Sequence, residues 1–365
     1  MKYCYSTDNR SWIEVSESAA ADNLAVIRRF AGEAKVYAVV KSNAYGHGLE
    51  LFSGIMDKRG ADGFCVDTVP EALMLRENGI KKPILVLGFS SPDEWKYAER
   101  ENITVSVSSL HTLREICSEE GSSLEFHLKV DTGMRRQGIM PDEAEEAIKI
   151  MKTGNDKMTG IFTHFASAKD INYPGFTDSQ YDLFNKTVET FEKAGFSLMR
   201  HASATAGTML GEKYRFDMVR AGIGLYGYYP SKELEVQLGD AGFKPVMKWK
   251  SKISEVKKGK KGDYVGYDLT ERLAEDSLIA VVPVGYWQGL PRGLSGIGEF
   301  TVNGEKCRIL GRISMDMAVV KVPEGTKEGD EVIVMDDATA VARLVSGSHY
   351  EVITRINPAI KRVLV

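Results

Sequence analysis

A lysine stands at the end of an apolar run early in the chain, where a strand would be expected to finish. Residues 36–40 are typical of a fully buried β-strand, and Lys41 follows them directly. Burying a lysine is costly unless its charge is paired or removed. Asn43, Gly46 and Gly48 come next and predict a turn. A partly desolvated amine at the end of a rigid strand suits a Schiff-base lysine, although a lysine that reaches into solvent would give the same local pattern.

The strand before Lys41 is the first of eight strand-like apolar runs, at residues 35–41, 63–66, 84–88, 103–107, 124–130, 158–164, 198–203 and 216–223. Helical patterns separate them at residues 49–59, 69–78, 92–101, 110–119, 141–152, 178–194 and 206–212. Parallel strands need such crossovers, so the alternation predicts an α/β fold, a closed (β/α)8 TIM barrel. An open doubly wound sheet is the alternative, but no Gly-x-Gly-x-x-Gly follows the first strand.

The pattern changes after Pro230. Residues 232–241 are polar and predict a linker, and strand-like alternation dominates from Val246 to the end, with turn signals such as Asn303-Gly304. We therefore predict a barrel over residues 11–240 and a mainly β C-terminal domain over residues 241–365. The first ten or so residues could pack on that second domain.

Polar side chains collect at the carboxyl ends of the predicted barrel strands, where (β/α)8 enzymes carry their chemistry. They are Lys41, Lys129, Asp131, Arg136, His164, His201, Ser203 and Arg220. One such residue is often a polar group satisfied within the core. Residues that end five different strands favour a shared site.

The segment Lys41-Ser42-Asn43-Ala44-Tyr45-Gly46-His47-Gly48 closely resembles the pyridoxal 5'-phosphate (PLP) lysine motif of the alanine racemase family. Further matches span nearly the whole chain, at residues 129–138, 163–166, 219–227, 265–267 and 311–316. The resemblance implies that PLP is the cofactor, that Lys41 carries it and that Tyr45 lies beside it. It also implies an isomerase that interconverts L-alanine and D-alanine.

The same resemblance assigns the other barrel residues. Arg136 would bind the phenolic oxygen of PLP and the substrate, and Lys129 would be carbamylated or remain an unmodified amine. His164 would orient Arg220, which would face the pyridine nitrogen. Because arginine cannot accept a proton there, that nitrogen stays neutral, and racemisation is favoured over transamination. The phosphate-side residues would be Ser203, Thr205, Gly222 and Ile223.

Three residues of the C-terminal domain complete the implied site. Tyr267 would be the second catalytic residue, serving L-alanine where Lys41 serves D-alanine, and Tyr286 and Met315 would contact the substrate. In the family this tyrosine reaches the cofactor of the partner chain. The resemblance therefore implies a homodimer with shared active sites.

Several positions depart from the family pattern, namely Arg135, Gln137, Ala204, Trp287, Gln288 and Pro358. Of these departures, Trp287, Gln288 and Pro358 keep open a serine or broad-specificity amino-acid racemase of the same family. A PLP-carrying binding protein without catalysis is a second alternative, although such members lack the β domain. A decarboxylase of the same fold is a third, but those enzymes pair the ring nitrogen with an acid.

Composition excludes several other classes. The 365 residues are 43% hydrophobic and 27% charged with a net charge of −4, which gives no reason to expect nucleic acid. No apolar run approaches the ~20 residues of a membrane span, and the start of the chain lacks an apolar signal core. Four scattered cysteines show no metal-ligand spacing. We expect a cytoplasmic enzyme with reduced thiols and no metal.

Overall fold

The computed structural model describes residues 10–119, 121–153, 157–170 and 174–365. These residues form two compact units. The barrel unit contains Ser18–Ala44 and Phe52–Lys244. The sheet unit contains residues 10–17, Tyr45–Leu51 and Pro245–Val365.

Eight parallel strands form the barrel unit, as the sequence predicts. They are Lys35–Val39, Gly63–Val66, Ile84–Val86, Val105–Val107, Phe126–Lys129, Met158–Phe162, Met199–His201 and Met218–Ala221. The strands form two hydrogen-bonded groups of four. Single parallel bridges, Leu85–Thr104 and Ala204–Arg220, connect the two groups. Because the first strand also pairs with the last, the barrel is closed, and its first strand is buried from Val36 onward.

Helices follow the strands close to the predicted positions. Within the described residues, helices cover Glu17–Ala31, Leu49–Lys58, Val69–Glu77, Pro92–Arg100, Leu110–Ser118, Ala144–Thr153, Pro174–Lys193, Thr205–Leu210, Lys232–Leu238, Ala338–Leu344 and His349–Thr354. Hydroxyl side chains cap the N-termini of several helices. The Thr68 side chain, for example, accepts a hydrogen bond from the backbone N–H of Glu71. The predicted linker at residues 232–241 is wrong in part, because Ser231 caps a helix over Lys232–Leu238.

The sheet unit is built on one nine-stranded, mostly antiparallel sheet. Its strands are Ser11–Val15, Met247–Lys252, Glu255–Gly259, Ser277–Val282, Glu299–Val302, Glu305–Leu310, Ala318–Lys321, Glu331–Met335 and Lys361–Leu364, and a separate pair joins Tyr264–Val265 to Glu271–Arg272. Asn303 and Gly304, both with positive φ, form the predicted tight turn. The unit is mainly β, with its two helices near the C-terminus.

The first strand of the chain belongs to this sheet. Ser11–Val15 lies between Met247–Lys252 and Lys361–Leu364 and pairs with both. The unit boundary after Glu17 therefore differs from the boundary predicted at residue 11. Of the first ten residues, only Arg10 is described, and its carbonyl accepts a hydrogen bond from the hydroxyl of Ser251.

Within the described residues, no helix combines the length and apolar character that crossing a membrane requires. The same residues contain no group of three or more acidic, histidine or cysteine side chains placed to hold a metal ion. Cys65, Cys117 and Cys307 are buried, whereas Cys4 lies outside the described residues.

Candidate active site

Lys41 lies two residues beyond the end of the first barrel strand, and its ammonium group has an acidic partner. Nζ of Lys41 donates to Oδ1 of Asp67 at 2.8 Å, and both side chains are partly exposed. Asp67 follows the second barrel strand, Gly63–Val66, so the pair spans two neighbouring strand ends. Asp67 is not among the residues predicted from the sequence, although its place after a strand was an available signal.

The backbone after Lys41 is left-handed. Ser42, Asn43, Ala44 and Tyr45 have φ values of 56°, 56°, 50° and 51°. Each L-residue in this conformation costs roughly 1–2 kcal/mol, so the segment needs support from its surroundings. Part of that support is local, because the N–H of Ala44 donates to the carbonyl of Val40 at 2.8 Å.

The carboxylate of Glu71 supplies further support to this segment. Its Oε1 accepts from the N–H of Ser42 at 2.6 Å, and its Oε2 accepts from the N–H of Asp67 at 2.9 Å. One side chain thus binds the backbone of Asp67 and that of Ser42, the residue after Lys41.

Arg220 is the most deeply buried cation of the barrel unit's predicted site, with 3% of its surface exposed. Its NH2 group donates to the carbonyls of Thr163 and Ala202 at 2.9 and 2.8 Å and lies 3.2 Å from Nδ1 of His164. Its NH1 group donates to Nδ1 of His201. Burial lowers the pKa of Arg220 to about 10, which leaves the guanidinium charged at neutral pH.

Lys129 and Arg136 bring further positive charge to the same region. Burial, followed by the charges of Arg136, Arg220 and Lys41, lowers the pKa of Lys129 to about 8. Its Nζ lies 3.3 Å from Oε1 of Gln137. Burial and the same set of cations also lower the pKa of His164 to about 3, so its imidazole is neutral.

Asp131 shapes the loop that carries Arg136. Its two carboxylate oxygens accept from the N–H groups of Gly133 at 2.8 Å and Arg136 at 3.1 Å. Burial by itself would raise the pKa of Asp131, but these backbone donors and Arg135 outweigh it and hold that pKa below its usual value.

Thr205 and the backbone after Arg220 form a compact corner. Oγ1 of Thr205 accepts from the N–H groups of Gly222 at 3.2 Å and Gly224 at 3.3 Å, and Ile223 is buried between them. Ser203 lies nearby in the chain but is fully buried, and its hydroxyl donates to the carbonyl of Tyr214 at 2.7 Å. The hydroxyl proton of Ser203 is therefore committed to the backbone.

The sheet unit holds the other predicted site residues. Tyr267, Met315 and Tyr286 are exposed by 66%, 55% and 44% respectively. The loops that carry Tyr286 and Met315 pack backbone to backbone, since a Cβ on Gly285 would lie 2.3 Å from the carbonyl oxygen of Met315. Gln288 ties these loops, because its side chain accepts from the N–H of Gly285 and donates to Asp316.

Tyr45 also belongs to the sheet unit, with its ring 6.2 Å from that of Tyr350. The loop after Tyr45 is held by Arg362, whose guanidinium donates to the carbonyl of Gly46 through both Nε and NH2. Arg362 also donates to the carbonyl of Pro358 at 3.0 Å. The predicted site residues thus form two groups, one in each unit.

Fold and site together define a two-domain barrel protein with a strand-end lysine in a strongly cationic setting. Residues 15–230 match the model of the alanine racemase N-terminal domain, and residues 246–364 match that of the C-terminal domain. The chain belongs to the alanine racemase family.

Individual relatives agree with this assignment over nearly their whole length. An alanine racemase of Leptospira interrogans is 34% identical over 386 aligned positions, which cover 100% of this chain and 97% of that protein. One of Carboxydothermus hydrogenoformans is 33% identical, covering 97% and 99%.

Solved structures give the same result. An alanine racemase of Clostridium difficile superposes with a TM-score of 0.91 at 32% identity, covering 98% of this chain and 96% of that one. The alanine racemase of Bacillus anthracis, solved with bound L-Ala-P, superposes with a TM-score of 0.92 at 31% identity, covering 98% and 95%.

Proposed function

We propose that this protein is a PLP-dependent alanine racemase that interconverts L-alanine and D-alanine. The observation that carries the proposal is the Lys41 amine at a barrel strand end, near Lys129, Arg136 and Arg220, in a chain of the alanine racemase family. We place the enzyme in the cytoplasm, where it would supply D-alanine as a precursor of cell wall peptidoglycan.

The chemistry of the side chains present fits PLP. The cofactor carries a phosphate and a phenolic oxygen, both anionic, and the positive charges acting on Lys129 are those of Arg136, Arg220 and Lys41, opposed by the one carboxylate of Asp131. A cationic setting of this kind stabilises bound anions. Lys41 would hold the cofactor covalently, Arg136 would bind its phenolic oxygen, Arg220 would face its ring nitrogen, and Tyr45 and His164 would flank these contacts. Thr205, with Gly222 and Ile223, would bind the phosphate, and Ser203 would support that corner.

When bound, PLP supplies an electron sink that makes the α-proton of an amino acid acidic. Lys41 then takes or returns that proton on one face of the α-carbon, and Tyr267 acts on the opposite face. Inversion requires two such groups on opposite sides, held at hydrogen-bonding distance from the same carbon. We assign Lys41 to D-alanine and Tyr267 to L-alanine.

The residues around these two groups orient the substrate. Arg136 would bind the substrate carboxylate, and Tyr286 and Met315 would limit the size of the side chain that enters. Arg220 acts through its charge, because a permanent cation disfavours protonation of the ring nitrogen. The α-carbon therefore remains the preferred position for reprotonation, and inversion outcompetes transamination.

A homodimer with shared active sites is part of the proposal. Its support is the exposure of large apolar side chains in the sheet unit, including Tyr267 at 66%, Leu269 at 65% and Trp287 at 65%. Tyr267 and Leu269 are near neighbours in the chain, and contiguous exposed apolar surface is typical of sites that bind another protein. Tyr267 of one protomer would act in the site of its partner, and the two-fold symmetry would make each contact occur twice.

Turnover of an amino-acid panel tests the proposal. The protein, purified with PLP, should show an absorption band near the visible edge that alanine perturbs, and alanine should be the best substrate for inversion. Faster inversion of serine or a basic amino acid would favour a different racemase, with Trp287 and Gln288 as the residues to exchange. Absence of any α-hydrogen exchange would instead favour a PLP-carrying binding protein, and release of carbon dioxide would favour a decarboxylase.

A further inference from the structure

Two buried histidines lie behind Arg220, and the proposed mechanism uses neither of them. His201 is 0% exposed, and its Nδ1 accepts from NH1 of Arg220. On the other side of the same ring, Nε2 of His201 lies 2.8 Å from Nδ1 of His127, which is also buried. The three side chains therefore form one continuous hydrogen-bonded chain inside the barrel.

The chemistry of the guanidinium gives this chain a direction. Arginine has donors only, so Nδ1 of His201 must accept from Arg220. A neutral His201 then carries its proton on Nε2 and donates to Nδ1 of His127, whose own proton must lie on Nε2. Both rings are neutral, because burial and then the charge of Arg220 lower the pKa of His127 to about 3 and that of His201 well below its usual value.

The barrel strands are built to hold this arrangement. His127 is paired in register with Gly160 on the next strand, and a Cβ on Gly160 would lie 2.6 Å from Nε2 of His127. Only glycine leaves room for the imidazole there. The ring of His201 stacks on Phe162, with centroids 4.7 Å apart and planes 8° from parallel. Both rings are thus fixed by packing as well as by hydrogen bonds.

The acceptors around Arg220 share one property. They are the carbonyls of Thr163 and Ala202 and the imidazoles of His164 and His201, and none of them carries a negative charge. A carboxylate in the place of one of them would orient the guanidinium equally well but would cancel its field. A neutral imidazole orients it and leaves the field intact.

We infer that His127 is a positioning residue for racemisation, acting through His201 to aim the guanidinium of Arg220 while its positive charge stays uncompensated. The inference rests on the proposed function, in which that charge keeps the ring nitrogen of PLP unprotonated. His127 touches neither substrate nor cofactor in this account. Its effect should therefore appear in the partition between racemisation and transamination.

Nitrogen-15 NMR of the histidine rings in the wild-type protein tests the geometry without any variant of Arg220 and without activity. We expect His127 and His201 to be neutral with the proton on Nε2 between about pH 6 and pH 8. Signals assigned by single histidine replacements would identify the two rings. A proton on Nδ1 of either ring, or titration of either ring in that range, would overturn the inference.

Kinetics of three variants test the consequence. His127→Phe should lower kcat about tenfold and raise the pyridoxamine phosphate formed per turnover several-fold, since a buried acceptor is lost. His127→Asn keeps an oxygen near the position of Nδ1 and should recover most of both losses. His127→Asp should raise transamination further, because its charge reaches Arg220 through His201.

A purely structural role for His127 would give a different result. His127→Phe would then lower the melting temperature and kcat but leave the transamination share at the wild-type value, and this outcome would overturn the inference. If His127→Phe fails to fold, two other measurements test the inference. They are the wild-type NMR result and the transamination share of Gly160→Ala, whose added methyl group crowds Nε2 of His127. A wild-type protein that neither binds PLP nor inverts alanine would remove the proposed function, whereas the NMR result would still decide the direction of the chain.

Discussion

The ammonium group of Lys41 lies 2.8 Å from Oδ1 of Asp67. The two residues follow neighbouring barrel strands, and the carboxylate of Glu71 accepts from the backbone N–H of Asp67 and from that of Ser42, which follows Lys41. The amine that we propose as the cofactor anchor is therefore held by an ion pair, and the backbone next to it is held by hydrogen bonds to Glu71. Ser42 begins the left-handed segment, so Glu71 also supports the most strained stretch of the site.

Removal of the Glu71 carboxylate should loosen this arrangement. Glu71→Ala leaves the N–H groups of Ser42 and Asp67 without their acceptor, and we expect the free energy of unfolding to fall by about 1–2 kcal/mol. The dissociation constant for PLP should rise as well, because the side chain of Lys41 is then positioned less precisely. Glu77→Ala, at an exposed position on the same helix, is the matched control. Equal effects in denaturant melts and PLP titrations of the two variants would contradict this role.

The barrel could be predicted from the sequence because its strands are short apolar runs with regular crossovers. All eight predicted strands occur, and polar residues such as Lys129 and Arg220 do lie at or beside the strand ends. The left-handed segment after Lys41 could not be predicted, because Ser42 and Ala44 are not residues that favour positive φ. The pairing of Ser11–Val15 with the sheet unit could not be predicted, because its strand partners lie more than 230 residues away. Local patterns carry no information about such pairing.

The contacts that Glu71 and His127 make around the site could not be predicted from the sequence. Glu71 and His127 look like ordinary polar residues of a helix and a strand, and only the position of Asp67 directly after a strand was a signal. Their roles arise from distances to Lys41 and Arg220 that only the folded chain defines.

Reversal of the charge at Arg220 should change the reaction outcome. In Arg220→Glu, a carboxylate would favour a protonated ring nitrogen and let negative charge spread from the α-carbon onto the cofactor. We predict more pyridoxamine phosphate per turnover than in the parent, measured by chromatography of the released cofactor. Arg220→Lys keeps the positive charge and should stay closer to the parent. No increase in Arg220→Glu, with PLP bound and the fold intact by circular dichroism, would contradict the assigned role.

Lys129 should react with carbon dioxide in a pH-dependent way. Carbon dioxide adds to a neutral amine, which loses a proton to give the carbamate. Because burial lowers the pKa of Lys129 to about 8, its neutral fraction rises as pH increases through that value. At a fixed concentration of dissolved carbon-13 dioxide, the carbamate NMR signal should grow from about pH 7 to pH 8.5. Lys129→Met should abolish the signal; a signal that survives this change, or its absence in the wild type, would assign Lys129 as an unmodified amine.

Mixed subunits test whether Tyr267 acts across an interface. Lys41→Ala and Tyr267→Phe should each be inactive alone. When equal amounts exchange subunits freely, half of the dimers are mixed, and each mixed dimer has one site with both lesions and one site with neither. About a quarter of the wild-type activity should return. If exchange is demonstrated by mass-tagged subunits and no activity returns, Tyr267 does not act in the site of a partner.

The central claim is tested most directly by incubating the PLP-loaded protein with pure L-alanine, and separately with pure D-alanine, in deuterated water. Both reactions should reach equal amounts of the two enantiomers, since mirror-image products have equal free energy, and deuterium should enter at the α-carbon. Lys41→Ala should lose the absorption band of bound PLP and both directions of inversion together, whereas the exposed control Lys58→Ala should retain them. Failure of the wild-type protein to invert alanine, or undiminished turnover in Lys41→Ala without added amine, would contradict the account.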